Sequence, residues 1–421
     1  MKKLMIKKVK FKDLMYYYLL FLFVLPDDFY RLTAIKNFYP PENIIYKIFF
    51  FHFSYLFTPV ILYGVYLYWK ENEYMQSNIF IFLMCIFIKD LILTLLGNSY
   101  LFINMSWELY GQMLVSISSV CLIFSKNKSS DELLKFWETF SIITIITLII
   151  SIITGIGTTA WTGNRYHASN LTYGETGLLI GLFITYLLCV KDNQYKFIYS
   201  GISLVLLIAT GSRKDIIYVL IVYVIYILNN VTSIKNLKIK TTFKSLAIHF
   251  FMVLLVGGMI IIRGNDLLEK LEVERTMNAI NGLLTEGIHY IIEDSSGEGR
   301  IESIKSGIDV IKDNPLGVTF SFYNSQENMQ LKQYPTFAHV SVIFYYIILG
   351  PLGIYIFYQY IKNYYHLNKI HNNFKYIYLY FIIYNCISGG ALLNFKILIS
   401  NIFILWIGNK LIIESKIKLN K

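Results

Sequence analysis

Long apolar stretches separated by short polar breaks recur along nearly the whole chain, close to the roughly 17–25 residues that a bilayer core demands of a helix. They fall at about 12–27, 44–69, 79–96, 106–124, 136–156, 171–190, 195–210, 215–229, 245–262, 338–360, 375–391 and 395–412. This pattern predicts an all-α polytopic integral membrane protein with about 12 transmembrane helices, in one membrane domain over 1–421. Two of the stretches, 195–210 and 215–229, are short and separated only by Gly211-Ser212-Arg213-Lys214-Asp215. They are either tilted helices meeting at a tight outer turn or a pair of which one is re-entrant, because charged backbone at that depth must line a wet or protein-walled cavity.

One hydrophilic interruption is long, 263–337. Within it Ile301, Ile304, Ile308 and Ile311 recur at helical spacing, while Glu302, Lys305, Asp309 and Lys312 fall mainly on the other faces. That is an amphipathic helix, suited to lie along the membrane interface or over a cavity, or to pack as an ordinary loop helix on its own domain.

Composition agrees with the pattern: 55% hydrophobic and 15% charged residues are too apolar for an ordinary soluble domain. The net charge of +11 comes largely from lysines dispersed through short loops, which argues against a nucleic-acid partner and sets an orientation. With the N-terminus inside, Lys126, Lys128, Lys135, Lys191, Lys196, Lys235, Lys238, Lys240, Lys244, Lys362 and Lys369 are all cytoplasmic, as is the lysine-rich C-terminus. The apolar run Leu14–Leu25 is followed by Pro26-Asp27-Asp28 and no small-residue cleavage site, so it reads as an uncleaved first span. Both termini are then expected in the cytoplasm, and 263–337 becomes a large extracytoplasmic loop.

That orientation isolates the arginines. Arg31, Arg165, Arg213, Arg263, Arg275 and Arg300 all fall in or beside outer segments, and the rest of the 38 basic residues are lysines. A guanidinium grips phosphate or carboxylate at two points, whereas lysine is a point charge. The outer face is therefore expected to hold an anionic group. No P-loop, Rossmann fingerprint or histidine/cysteine metal spacing is present, and no cytoplasmic loop offers an aspartate pair for nucleotide-sugar chemistry. No metal or other cofactor is expected. Cys85, Cys121, Cys189 and Cys386 read as small hydrophobes within apolar spans.

Four outer constellations remain. Trp161-Thr162-Gly163-Asn164-Arg165 leads through Asn170 into a span that opens with Tyr173 and Glu175, an arrangement that makes either an anion cradle or an interfacial helix cap. Thr210-Gly211-Ser212-Arg213-Lys214 places two cations beside accessible backbone. Gly297-Glu298-Gly299-Arg300 opens the isoleucine helix, which Asn314-Pro315-Leu316-Gly317 follows. His339 stands at the outer end of the next span, which continues to Leu349-Gly350-Pro351-Leu352-Gly353, and a histidine there is either a cap or a general base working near neutral pH. Lys89 and Asp90 are intramembrane charges of the kind a transport path uses.

In order and shared side, these motifs over about 160–360 resemble the bacterial O-antigen polymerase and ligase superfamily, although His339 is followed by Val340 where the family has asparagine. The resemblance implies a Wzy-type polymerase of O-antigen or capsular polysaccharide in the cytoplasmic membrane. Its donor and acceptor would be undecaprenyl-diphosphate-linked oligosaccharides, with membrane lipid, a chain-length regulator and a flippase as partners. It further implies His339, Arg213 and Arg300 as catalytic residues, and Arg165, Asn170, Tyr173, Glu175, Lys214 and Glu298 as substrate-binding ones. Glu175 and Glu298 are also the reserve bases. A ligase of the same superfamily and a lipid-linked oligosaccharide flippase are the alternatives.

Overall fold

The computed structural model describes residues 11–24, 58–71, 74–96, 129–154, 173–191, 195–233, 295–318, 341–387 and 395–419, with the short pieces 114–115, 118–119, 121–123, 166–168 and 171. Among the described residues the regular elements are all helices, without a strand. In chain order the helices are α1 (Phe11–Val24), α2 (Thr58–Glu71), α3 (Tyr74–Leu95), α4 (Ser130–Thr154), α5 (Tyr173–Cys189) and α6 (Lys196–Ala209). They continue with α7 (Arg213–Ser233), α8 (Ser295–Asp313), α9 (Ser341–Leu349), α10 (Pro351–Lys369), α11 (Lys375–Ile387) and α12 (Phe395–Leu419). The expected span 245–262, most of 106–124 and the first part of 44–69 lie outside the described residues.

Helix α4 shows why these segments suit a bilayer. It is the described helix long and apolar enough to cross a membrane by length and composition, over Ser130–Ile153. Its start is fixed by a reciprocal cap: the Ser129 amide donates to the Glu132 carboxylate at 3.1 Å, and the Glu132 amide donates to Ser129 Oγ at 3.3 Å. Ile142, Ile146, Ile150 and Ile153 form an exposed apolar face, which is unfavourable in water and suits lipid. The opposite, buried face carries Ser141, Thr144 and Ser151, whose hydroxyls donate back to the carbonyls of Trp137, Phe140 and Thr147. Polar groups therefore face protein, and each is satisfied within its own helix.

Helix α5 is the centre of the bundle. Every residue from Glu175 to Cys189 is buried, and α4, α6, α7 and α11 pack around it. A helix apolar on nearly all sides suits such a position. At one end of the bundle, Lys191 pairs with Glu138 at 2.7 Å and Ser130 Oγ donates to Glu414 at 2.7 Å, tying α5 and α12 to α4.

The stretch 338–360, expected as a single span, is instead divided at Gly350. That residue has φ of 62°, a left-handed conformation open to glycine, and Pro351 then starts α10 without an amide to extend α9. The two helices pack against each other, with Gly353 lying on the Tyr345 carbonyl. A methyl group at Gly350 would also strike the Leu316 carbonyl. Gly350→Ala is accordingly expected to cost at least about 1–2 kcal/mol. Its measure is the unfolding midpoint of the detergent-solubilised protein, and an unchanged midpoint would show that glycine is not what sets the break.

Candidate active site

The polar break between α6 and α7 resolves into a tight turn. The Thr210 hydroxyl donates to the Leu207 carbonyl at 2.7 Å, closing α6. Gly211, at φ 66°, reverses the chain, and Ser212 leads into α7. Arg213 and Lys214 thus occupy the first two positions of a 21-residue helix, where the positive end of the peptide dipole adds to their charges. The two helices expected on either side of this break are both present and meet at the turn.

The next residue of the helix is a buried carboxylate. Asp215 is fully buried. Its Oδ2 accepts a hydrogen bond from Ser212 Oγ, and its Oδ1 accepts one from the Tyr380 hydroxyl of α11 at 2.7 Å. Lys214 lies 4.9 Å from the centroid of the Tyr384 ring, one helical turn further along α11. Tyr218 meets both Tyr380 and Tyr384 edge-on. The turn, α7 and α11 are thereby fixed to one another through hydroxyl–carboxylate bonds and aromatic contacts.

Helix α5 closes the other side through two glycines four residues apart. A Cβ at Gly177 would stand 2.7 Å from Asp215 Oδ2 and 2.7 Å from Ser212 Cβ, and one at Gly181 would strike the Tyr380 hydroxyl. Only a bare backbone permits this approach, the close-contact use of small residues at four-residue spacing. Glu175, two residues before Gly177, is buried as well.

The first constellation meets the second here. The amide of Tyr166 donates to the Ala209 carbonyl at 3.2 Å, and the amide of Ala168 donates to Thr176 Oγ1 at 3.1 Å. Residues 166–168 are therefore laid between the end of α6 and the start of α5, and the chain next to Arg165 reaches the turn that holds Arg213. His167, buried in this strip, contacts the Ala168 carbonyl through Nδ1 at 3.0 Å.

The third and fourth constellations also meet. After α8, the segment Asn314-Pro315-Leu316-Gly317-Val318 folds onto the α9–α10 break. The Val318 amide donates to the Ile347 carbonyl at 2.7 Å, and the Tyr346 hydroxyl donates to the Pro315 carbonyl at 2.7 Å. Lys89 of α3 donates to the Val318 carbonyl at 2.7 Å and pairs with Asp90 at 3.0 Å. These two charges are engaged with each other and, through Lys89, with the segment after α8.

Of the expected site residues, Glu175 and Lys214 are described in full. Tyr173, Arg213, Glu298 and Arg300 are placed by their backbone at the start of α5, the start of α7 and near the start of α8. Arg165, Asn170 and His339 lie outside the described residues. Sequence reasoning missed Asp215 and Tyr380 as partners, and Gly177 and Gly181 as the surface beneath them. The Gly177-x-x-x-Gly181 spacing inside an apolar run was the readable signal.

Chemically, the arrangement offers a helix N-terminus whose first two residues, Arg213 and Lys214, are cationic and whose third, Asp215, is a buried carboxylate. It suits an anion such as a phosphate. A family model described as O-antigen ligase matches residues 198–358, from α6 through the turn and α8 to the middle of α10. No curated protein matches the chain. The matched stretch contains Arg213, Lys214, Arg300 and His339. Residues 198–358 are thus similar to an O-antigen ligase-type domain, in agreement with the resemblance carried by the motifs of this stretch.

Proposed function

We propose that the protein is a membrane glycosyltransferase that joins undecaprenyl-diphosphate-linked oligosaccharide repeat units into a surface polysaccharide. It works at the outer face of the cytoplasmic membrane, with its termini in the cytoplasm and residues 263–337 outside. The observation that carries this is the Arg213–Lys214 pair at the α7 N-terminus, inside the stretch matched by the O-antigen ligase family. A hydroxyl of the acceptor repeat unit attacks the anomeric carbon of the donor glycan. The bond from that carbon to the diphosphate breaks, and polyprenyl diphosphate leaves with the electron pair.

Cations placed where that charge develops lower the barrier. Arg213 and Arg300 take this part, with Lys214 and Arg165 holding the diphosphate. Asn170 and Tyr173 contact the glycan. His339 accepts the hydroxyl proton, with Glu175 and Glu298 as alternative bases. A flippase that delivers the repeat unit and a regulator of chain length are the partners this reaction needs.

A second reading, transfer of finished glycan to a different acceptor, is favoured by the description of the matching family as O-antigen ligase. Deletion of the gene separates the two. Surface glycans reduced to single repeat units are the expected result for a polymerase, whereas long polymer stranded on the lipid carrier would replace that reading with the ligase. Full-length polymer on its normal acceptor would overturn both.

A further inference from the structure

We infer that Lys89 is a positioning residue: its ammonium, hydrogen-bonded to the Val318 carbonyl and paired with Asp90, moors the segment after α8 and so sets where the Arg300 end of that helix stands. The inference rests on the glycosyl-transfer function proposed above.

A cation buried in an apolar span is costly and needs a partner. Among the described residues Lys89 meets the Val318 carbonyl at 2.7 Å and the Asp90 carboxylate at 3.0 Å. The second is fully buried, so the countercharge sits out of water beside the ammonium. The bond to Val318 reaches across 229 positions of sequence to main chain in an otherwise irregular segment. That segment is itself stiff. Gly317 donates to the Asn314 carbonyl at 2.8 Å, Asn314 Nδ2 donates to the Val310 carbonyl at 3.1 Å, and Gly317 adopts φ of 79° so close to α9 that a Cβ would stand 2.7 Å from the Ile347 carbonyl.

Val310, Val318 and Ile347 form a small apolar core of their own, separate from the main one. Helix α8, its terminal segment and α9 are thus a compact unit that Lys89 ties to α3. Helix α8 then acts as a lever. From Arg300 to Asp313 it rises about 20 Å, so a tilt of about 5° at the moored end moves the arginine end by about 2 Å. Displacements of about 1 Å in a reacting constellation cost on the order of a hundredfold in rate.

The test compares Lys89→Met and Lys89→Arg with the unaltered full chain in proteoliposomes containing an undecaprenyl-diphosphate-linked oligosaccharide. Lys89→Met is expected to lower kcat about tenfold or more. Its KM for the donor should stay within about twofold of the unaltered value, and Lys89→Arg should return kcat to within about threefold of it. Hydrogen exchange over residues 310–318 should accelerate in the methionine variant and remain slow in the arginine one.

Should Lys89→Met not accumulate, Asp90→Asn removes the countercharge instead and should loosen the same amides to a smaller degree. Unchanged exchange in Lys89→Met, or faster exchange with undiminished kcat, would overturn the inference. If Asp90→Asn replaces it, exchange and kcat both at the unaltered values would do the same. Absence of transfer by the unaltered protein would sink the polymerase function, leaving the exchange comparison to decide the mooring by itself.

Discussion

Exchange of Arg213 for lysine is expected to slow glycan transfer by about a hundredfold, the loss seen when one preorganised donor to a developing charge is removed. The substitution keeps the positive charge and the place at the first position of α7. What it removes is the planar fork, which can bind two oxygens of a diphosphate at once. The neighbouring Lys214 cannot supply that geometry, since it too is a point charge and already lies over Tyr384. Arg213→Gln should be worse than Arg213→Lys, because it gives up the charge as well. Polymer length in cells and transfer rate with purified protein are the two readouts. Wild-type values for both in the lysine variant would remove Arg213 from the diphosphate.

Asp215→Ala is expected to lower the yield of folded protein several-fold. Two hydroxyl groups, Ser212 and Tyr380, would lose their acceptor in a fully buried place. Each group left in that state costs about 1–3 kcal/mol. The sum is a large share of the roughly 5–15 kcal/mol by which a folded protein is stable. Tyr380→Phe removes one of the two bonds and leaves the carboxylate with its serine donor, so it should lower the unfolding midpoint without abolishing the fold. Added to Asp215→Ala, Tyr380→Phe should then cause little further loss, because the bond it removes is already gone. Fully additive losses, measured as folded yield after detergent extraction, would mean that the two side chains do not act as a pair.

Much of the architecture could be read from local pattern. The cores of α1, α3, α4, α5, α6, α7, α11 and α12 lie where long apolar runs occur, and the isoleucine spacing anticipated α8. The start of α4 falls six residues before the apolar run expected at 136, since Ser129 and Glu132 set it by capping and hydropathy does not register a cap. At 338–360 the composition stays apolar across Gly350-Pro351, which hid a reversal that those two residues cause.

The site was legible only where chemistry is carried by the chain itself. Arg213 and Lys214 stood out as cations in a break between spans. Asp215 takes its meaning from Tyr380, which lies 165 positions away. Lys89 likewise gave no hint in sequence of its bond to residue 318. Pairings of that range depend on how helices pack, which a local pattern of polar and apolar residues does not encode.

The grip of Lys89 falls on a peptide oxygen, which any amino acid at position 318 would present in the same way. Neighbouring Leu316 is half exposed and contributes its own main-chain carbonyl, rather than its side chain, to the contact with Gly350. The exposed side chain of Leu316 can therefore be exchanged for others of similar bulk without loosening the attachment. A surface fastened by its backbone is free to vary in what it displays.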